Sequence, residues 1–77
     1  MRYNHYISKN IKFYREQRGL DTDELAILAL GYSSAEKEAG AQKIKKFENG
    51  QQEPKLSEAA NLAKVLRIKL DDLVKPR

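Results

Sequence analysis

A chain of 77 residues, 34% charged and 40% hydrophobic, has Lys+Arg 15 against Asp+Glu 11 and a formal net charge of +4. That length holds one small domain, which buries only about 60% of its unfolded surface. Zero Cys and a single His exclude disulfide staples, thiolate catalysis and a zinc site of ordinary ligand count. The longest apolar run, 25–30, would span about 9 Å as a helix against a bilayer core of roughly 30 Å, so no membrane span is expected. The N-terminal residues have no signal-peptide core, and a cytoplasmic protein is expected.

Ile7, Ile11 and Tyr14 recur at i, i+4 and i+7, which predicts a first helix over about 5–18. Gly19 stops it, with Arg15 and Arg18 complementing the final turn, and Leu20 plugs the turn into the core. Asp21 and Glu24 form a capping box that opens a second helix over 21–30. Leu25, Ala26, Leu28 and Ala29 are its expected buried face, and Gly31 ends it.

The stretch 31–40 reads as an extended turn, although Ser33 and Ser34 are able to cap a short extra helical turn there. Tyr32 is assigned to this turn. A third helix over 41–49 places Ile44 and Phe47 inward among Gln42, Lys43, Lys45 and Lys46, and Asn49-Gly50 terminates it. Pro54 suits a first-turn position, and a fourth helix over 55–66 buries Leu56, Ala59, Leu62, Ala63 and Leu66. A short fifth helix follows over 70–74. The expectation is a single all-α domain of five helices.

Charge is uneven along this chain. Asp21, Asp23, Glu24, Glu36 and Glu38 stand against Lys37 alone within 21–40, whereas the flanking stretches are net positive. A basic chain with one acidic stretch suits a nucleic-acid binder that turns the acidic face away from phosphate. Catalysis has little to draw on. A Ser, His and Asp triad would need His5 near the chain end, the carboxylates fall at helix starts, and the four glycines never approach a phosphate-cradle spacing. A non-enzymatic protein without cofactor or metal is expected.

The stretches IKFYREQRGL over 11–20, DELA over 23–26, IKKFENG over 44–50 and the segment 54–73 resemble, in order and spacing, the Cro and lambda-repressor family of helix-turn-helix proteins, also called the Xre family. The resemblance covers most of 7–74. It implies a lambda-repressor-like five-helix domain whose third helix lies in the DNA major groove. Gln42 and Lys43 are then the base readers, with Ala41 against a thymine methyl, and Thr22, Lys45, Lys46 and Lys55 contact phosphates. Arg15 and Glu48 match positions that pair in this family and are expected to clamp the first helix to the third.

Two departures stand out. The family joins its second and third helices by three or four residues, whereas 31–40 supplies ten. Starting the third helix at Gly40 keeps Gln42, Lys43, Ile44, Lys46 and Glu48 in the family register, with the insertion bulging out. Alternatively the helix begins near Ser34 and is longer. Arg67 occupies a turn position where the family often has Gly, a cost if its φ is positive.

The resemblance implies a repressor that binds near-palindromic double-stranded DNA as a homodimer, and Leu70, Leu73 and Val74 read as an apolar ridge at its interface, half turned inward and half toward the second subunit. An antitoxin that also contacts a toxin is the nearest alternative. A helical protein-interaction module using 31–40 is the third.

Overall fold

The computed structural model describes residues 4–76, with side chains from Tyr6 onward. These residues form an all-α domain without strands: α1 Asn4–Gln17, α2 Thr22–Leu30, α3 Lys37–Glu48, α4 Leu56–Leu66 and α5 Leu70–Val74, with a 3₁₀ turn at Ser34–Glu36 running into α3.

One capping device recurs at four helical starts. A carboxylate three residues into the element reaches back to the backbone N–H of the cap residue, satisfying a donor that the helix itself cannot pair. The Asp21 N–H donates to Glu24 at 2.8 Å, Ser33 to Glu36 at 3.0 Å, Lys55 to Glu58 at 2.8 Å, and Lys69 to Asp72 at 3.1 Å. The Ser33 hydroxyl also donates to Glu36 at 3.0 Å. These N–H groups hold the Glu36 and Asp72 carboxyls below the usual carboxylate range, with the Ser33 hydroxyl adding to the effect on Glu36.

The second of these boxes corrects the expected boundary of the third helix. Helical structure begins at Ser34, so the link from α2 is three residues, 31–33, and the ten-residue turn over 31–40 does not exist. Gly40 lies inside α3, in its first turn, instead of at its start.

α2 packs against both α3 and α4, while α1 packs on α3 and α5. Ile7, Ile11, Leu25, Ile44, Phe47, Leu62, Leu66 and Leu73 are fully buried at the centre. Three expectations change. Leu28 and Leu56 share faces with core residues yet are 60% and 70% exposed, because no further element covers them. Leu73, expected on a dimer ridge, lies wholly inside this one chain, and Leu70 and Val74 pack half-buried beside it.

Asn10 explains how so short a C-terminal helix is seated. Its side chain is buried on α1, and the two N–H bonds of its Nδ2 are shared among the backbone carbonyls of Asp72 at 3.1 Å, Leu73 at 2.9 Å and Lys75 at 2.9 Å. Those carbonyls end α5 without helical partners of their own, so one amide both caps the helix and ties it to α1.

α4 ends on Arg67, whose φ of 59° and ψ of 45° put a side-chain-bearing residue in the left-handed region. Glycine adopts that conformation without the Cβ clash that costs other residues roughly 1–2 kcal/mol. Arg67→Gly is therefore expected to stabilise the fold by about 1 kcal/mol, raising the melting temperature by roughly 4–8 °C. Thermal melts followed by circular dichroism check this; an unchanged or lower midpoint would mean that the Arg67 side chain itself holds the turn.

Candidate functional site

The distinctive surface lies on α3. Ser34, Glu38, Gln42, Lys45 and Asn49 recur at three- and four-residue spacing on one side and are all exposed, with Ala41 half-buried at the edge. From Ser34 to Asn49 this ridge runs about 22 Å along the helix axis. Lys37 and Lys46 flank it, both exposed.

Close approach to α2 sets the pose of α3. A Cβ built on Gly40 would stand 2.6 Å from the Ala26 Cβ, closer than real side chains approach, and 3.0 Å from the Tyr32 ring, a tight contact that the ring would have to yield to. Gly40 thus lets the two helices meet backbone to side chain, and Tyr32 in the 31–33 link closes the joint. This contact, absent from the expected arrangement, is what makes a helix interior worth giving to a poor helix former.

The far end of α3 is clamped to α1. The Arg15 Nε donates to Glu48 Oε2 at 2.6 Å and its Nη2 to Oε1 at 3.1 Å, a two-pronged pair whose side chains are only 13% and 8% exposed. Arg15 Nη1 also donates to the Leu20 carbonyl at 2.9 Å, which fixes the turn after α1. The hydrogen bond to Glu48 raises the Arg15 pKa above its usual value, against the lowering effect of burial.

Lys43 does not stand free as a base reader. Its ammonium lies 2.7 Å from Glu58 Oε2 on α4 and 6.0 Å from the Phe47 ring centroid. Glu58 thus serves two partners, accepting the Lys55 N–H with Oε1 and Lys43 with Oε2. Partial burial pushes the Glu58 carboxyl up, but Lys43 and the Lys55 N–H together bring it below its usual 4.5. The hydrogen bond to Glu58 in turn raises the Lys43 pKa.

That depressed carboxyl implies a pH dependence. A group with a lowered folded pKa contributes stability that is complete above its unfolded value and is lost as pH falls through the folded one. Melting temperature is expected to decline below about pH 4.5. Glu58→Gln should flatten part of that decline, with Glu36 and Asp72 contributing to what is left. Melts from pH 3 to 7 give the comparison, and identical acid limbs for both proteins would contradict the role of Glu58.

Of the remaining positions expected to meet phosphate, Lys45, Lys46 and Lys55 are exposed, the last at the start of α4. Thr22 is half-buried in the first turn of α2, with Asp21, Asp23 and Glu24 around it. The acidic stretch is not confined to a rear face, since Glu36 and Glu38 stand exposed at the N-terminal end of α3.

Of the two arrangements the sequence allows, the longer helix starting near Ser34 is the one formed, and it brings Ser34, Lys37 and Glu38 to this surface. The Ser33-x-x-Glu36 spacing was the signal for them. Among the described residues no group of three or more His, Cys, Asp or Glu is arranged to hold a metal ion, and no helix is long and apolar enough to cross a membrane. No family model, no curated protein and no solved structure matches the chain.

Proposed function

We propose that this chain is a sequence-specific double-stranded DNA-binding transcriptional regulator, a repressor built on a helix-turn-helix of α2 and α3 and acting on near-palindromic sites as a homodimer. The observation that supports it most is a bare α3 ridge, set at a fixed pose by Gly40 and the Arg15–Glu48 clamp, behind a link of only three residues. The Cro and lambda-repressor resemblance supplies the same arrangement.

In this reading α3 enters the major groove and Gln42 is the principal base reader, able to pair with an adenine edge in bidentate fashion. Glu38, one turn earlier on the ridge, suits a cytosine amine, and Ala41 suits a thymine methyl. Lys45 and Lys46 lie toward the end of the ridge and neutralise phosphates, joined by Lys55 and Thr22 at the starts of α4 and α2. Lys43 spends its charge on Glu58 and acts by holding α4 to α3. Two copies would set their α3 helices about 34 Å apart, one turn of DNA. With Leu73 in the core, a C-terminal interface is left with Leu70 and Val74 alone.

The test uses a duplex selected by the wild-type protein from a randomised pool. Gln42→Ala should relax preference at one base pair per half-site, removing about 1–3 kcal/mol of discrimination. Lys45→Ala should weaken all duplexes alike and reduce the slope of log affinity against log salt by about 1. Unchanged specificity and salt slope in both variants would remove α3 as the DNA-contacting helix.

A further inference from the structure

Away from the α3 ridge, α2 and α4 leave an open groove of about 630 Å³ lined by Leu28, Leu30 and Val65, with Asn61, Lys64 and Arg67 also contributing. Leu28 is 60% exposed there, and Lys64 and Arg67 are both exposed, with no ion-pair partner among the described residues. Among the described residues no carboxylate lines the groove.

We propose that this groove docks a peptide segment of a partner protein, one that sets an apolar side chain beside one or more carboxylates. The occupant follows from charge and shape. The C-terminal ends of α2 and α4 both reach the groove, and each brings about half a negative charge, so the two cations leave it net positive by about one unit. One of the orphan carbonyls at the end of α4, that of Leu66, already accepts from Arg18 Nε at 3.1 Å, which lessens the negative end further.

The groove is open along its length and cannot enclose a small molecule on most sides, as ligand clefts do. An extended or helical segment matches it better, with its apolar residue against Leu28 and Val65 and its carboxylate on Lys64 and Arg67. Arg67 strengthens the assignment. The chain holds an arginine in a left-handed conformation that glycine would adopt at lower cost, and that arginine lines the groove.

Random twelve-residue peptides displayed and selected on the immobilised full chain supply the probes, which are then titrated against wild-type, Leu28→Glu and Arg67→Gly proteins. Enriched peptides should carry Asp or Glu beside Leu, Ile or Phe. Both variants should weaken them by at least about tenfold, even though Arg67→Gly melts no lower than wild type. Any of four results would overturn the proposal. Enriched peptides that lack carboxylates, or none that respond to Leu28→Glu, would remove the acidic segment. A dimer of the chain dissolved by Leu28→Glu would make a second copy the occupant. Loss of duplex affinity in Arg67→Gly would assign the groove to phosphate instead, an outcome separate from whether α3 reads DNA.

Discussion

Gly40→Val is expected to lower the melting temperature by roughly 10–20 °C and to abolish the specific DNA binding proposed for α3 before it abolishes helicity. The cause is local, since even a Cβ at this position would sit 2.6 Å from the Ala26 Cβ. Relief requires α3 to move off α2 or the Tyr32 ring to turn out, and overpacking of this kind costs about 1–3 kcal/mol, with a β-branched side chain adding to it in a helix. The whole stability of a chain this size is on the order of 4–12 kcal/mol. Gly40→Ala should lose less, because Ala regains about 1 kcal/mol of helix propensity. Combining it with Ala26→Gly removes the opposing methyl, so the pair should couple strongly in a double-mutant cycle. Additive melting data across that cycle would mean the two helices do not meet at this point.

Breaking the clamp at the other end of α3 should be as damaging. Arg15→Ala strips the Glu48 carboxylate, 8% exposed in the intact pair, of its two donors and the Leu20 carbonyl of one. A stranded carboxylate in a fully buried pair costs 3–5 kcal/mol, and the residual exposure here lowers the expectation to about 2–3 kcal/mol. Arg15→Met with Glu48→Leu removes both charges together and should recover most of the loss, since no ion is left unpaired. Urea titrations of the wild type, Arg15→Ala and the double variant provide the measurement. A double variant as unstable as Arg15→Ala would show that the Arg15 hydrogen bond to the Leu20 carbonyl, which Met also lacks, and not the charge pair, carries the contribution.

The elements legible in the sequence are those whose signals are local. The Asp21 and Glu24 box and the periodicity of Ile7, Ile11 and Tyr14 placed two helices to within a residue or two. The start of α3 was obscured because two local signals disagree. Ser33-x-x-Glu36 favours an early start, while Gly40 disfavours a helix through it, and only the Ala26 contact across the joint decides between them. Periodicity reported which residues share a face but not which faces are covered, so Leu28 and Leu56 looked like core.

Leu73 was misplaced for the opposite reason. A five-residue helix has no strong pattern, and what draws it inward is Asn10, more than 60 residues away in the chain. The candidate site divides in the same way. Arg15 and Glu48 could be paired only through the family resemblance, and nothing in the spacing of Lys43 pointed to Glu58, which a loop and a helix start separate from it.

The role proposed for the α3 ridge is to bind double-stranded DNA by sequence. The most direct measurement is fluorescence anisotropy of the full chain with a labelled duplex selected from a randomised pool and with its shuffled counterpart, each across a salt series. Affinity for the selected duplex should exceed that for the shuffled one by at least about a thousandfold, and both should fall steeply with salt. Equal affinity for the two duplexes, or none for either at low salt, would contradict a sequence-reading role for α3.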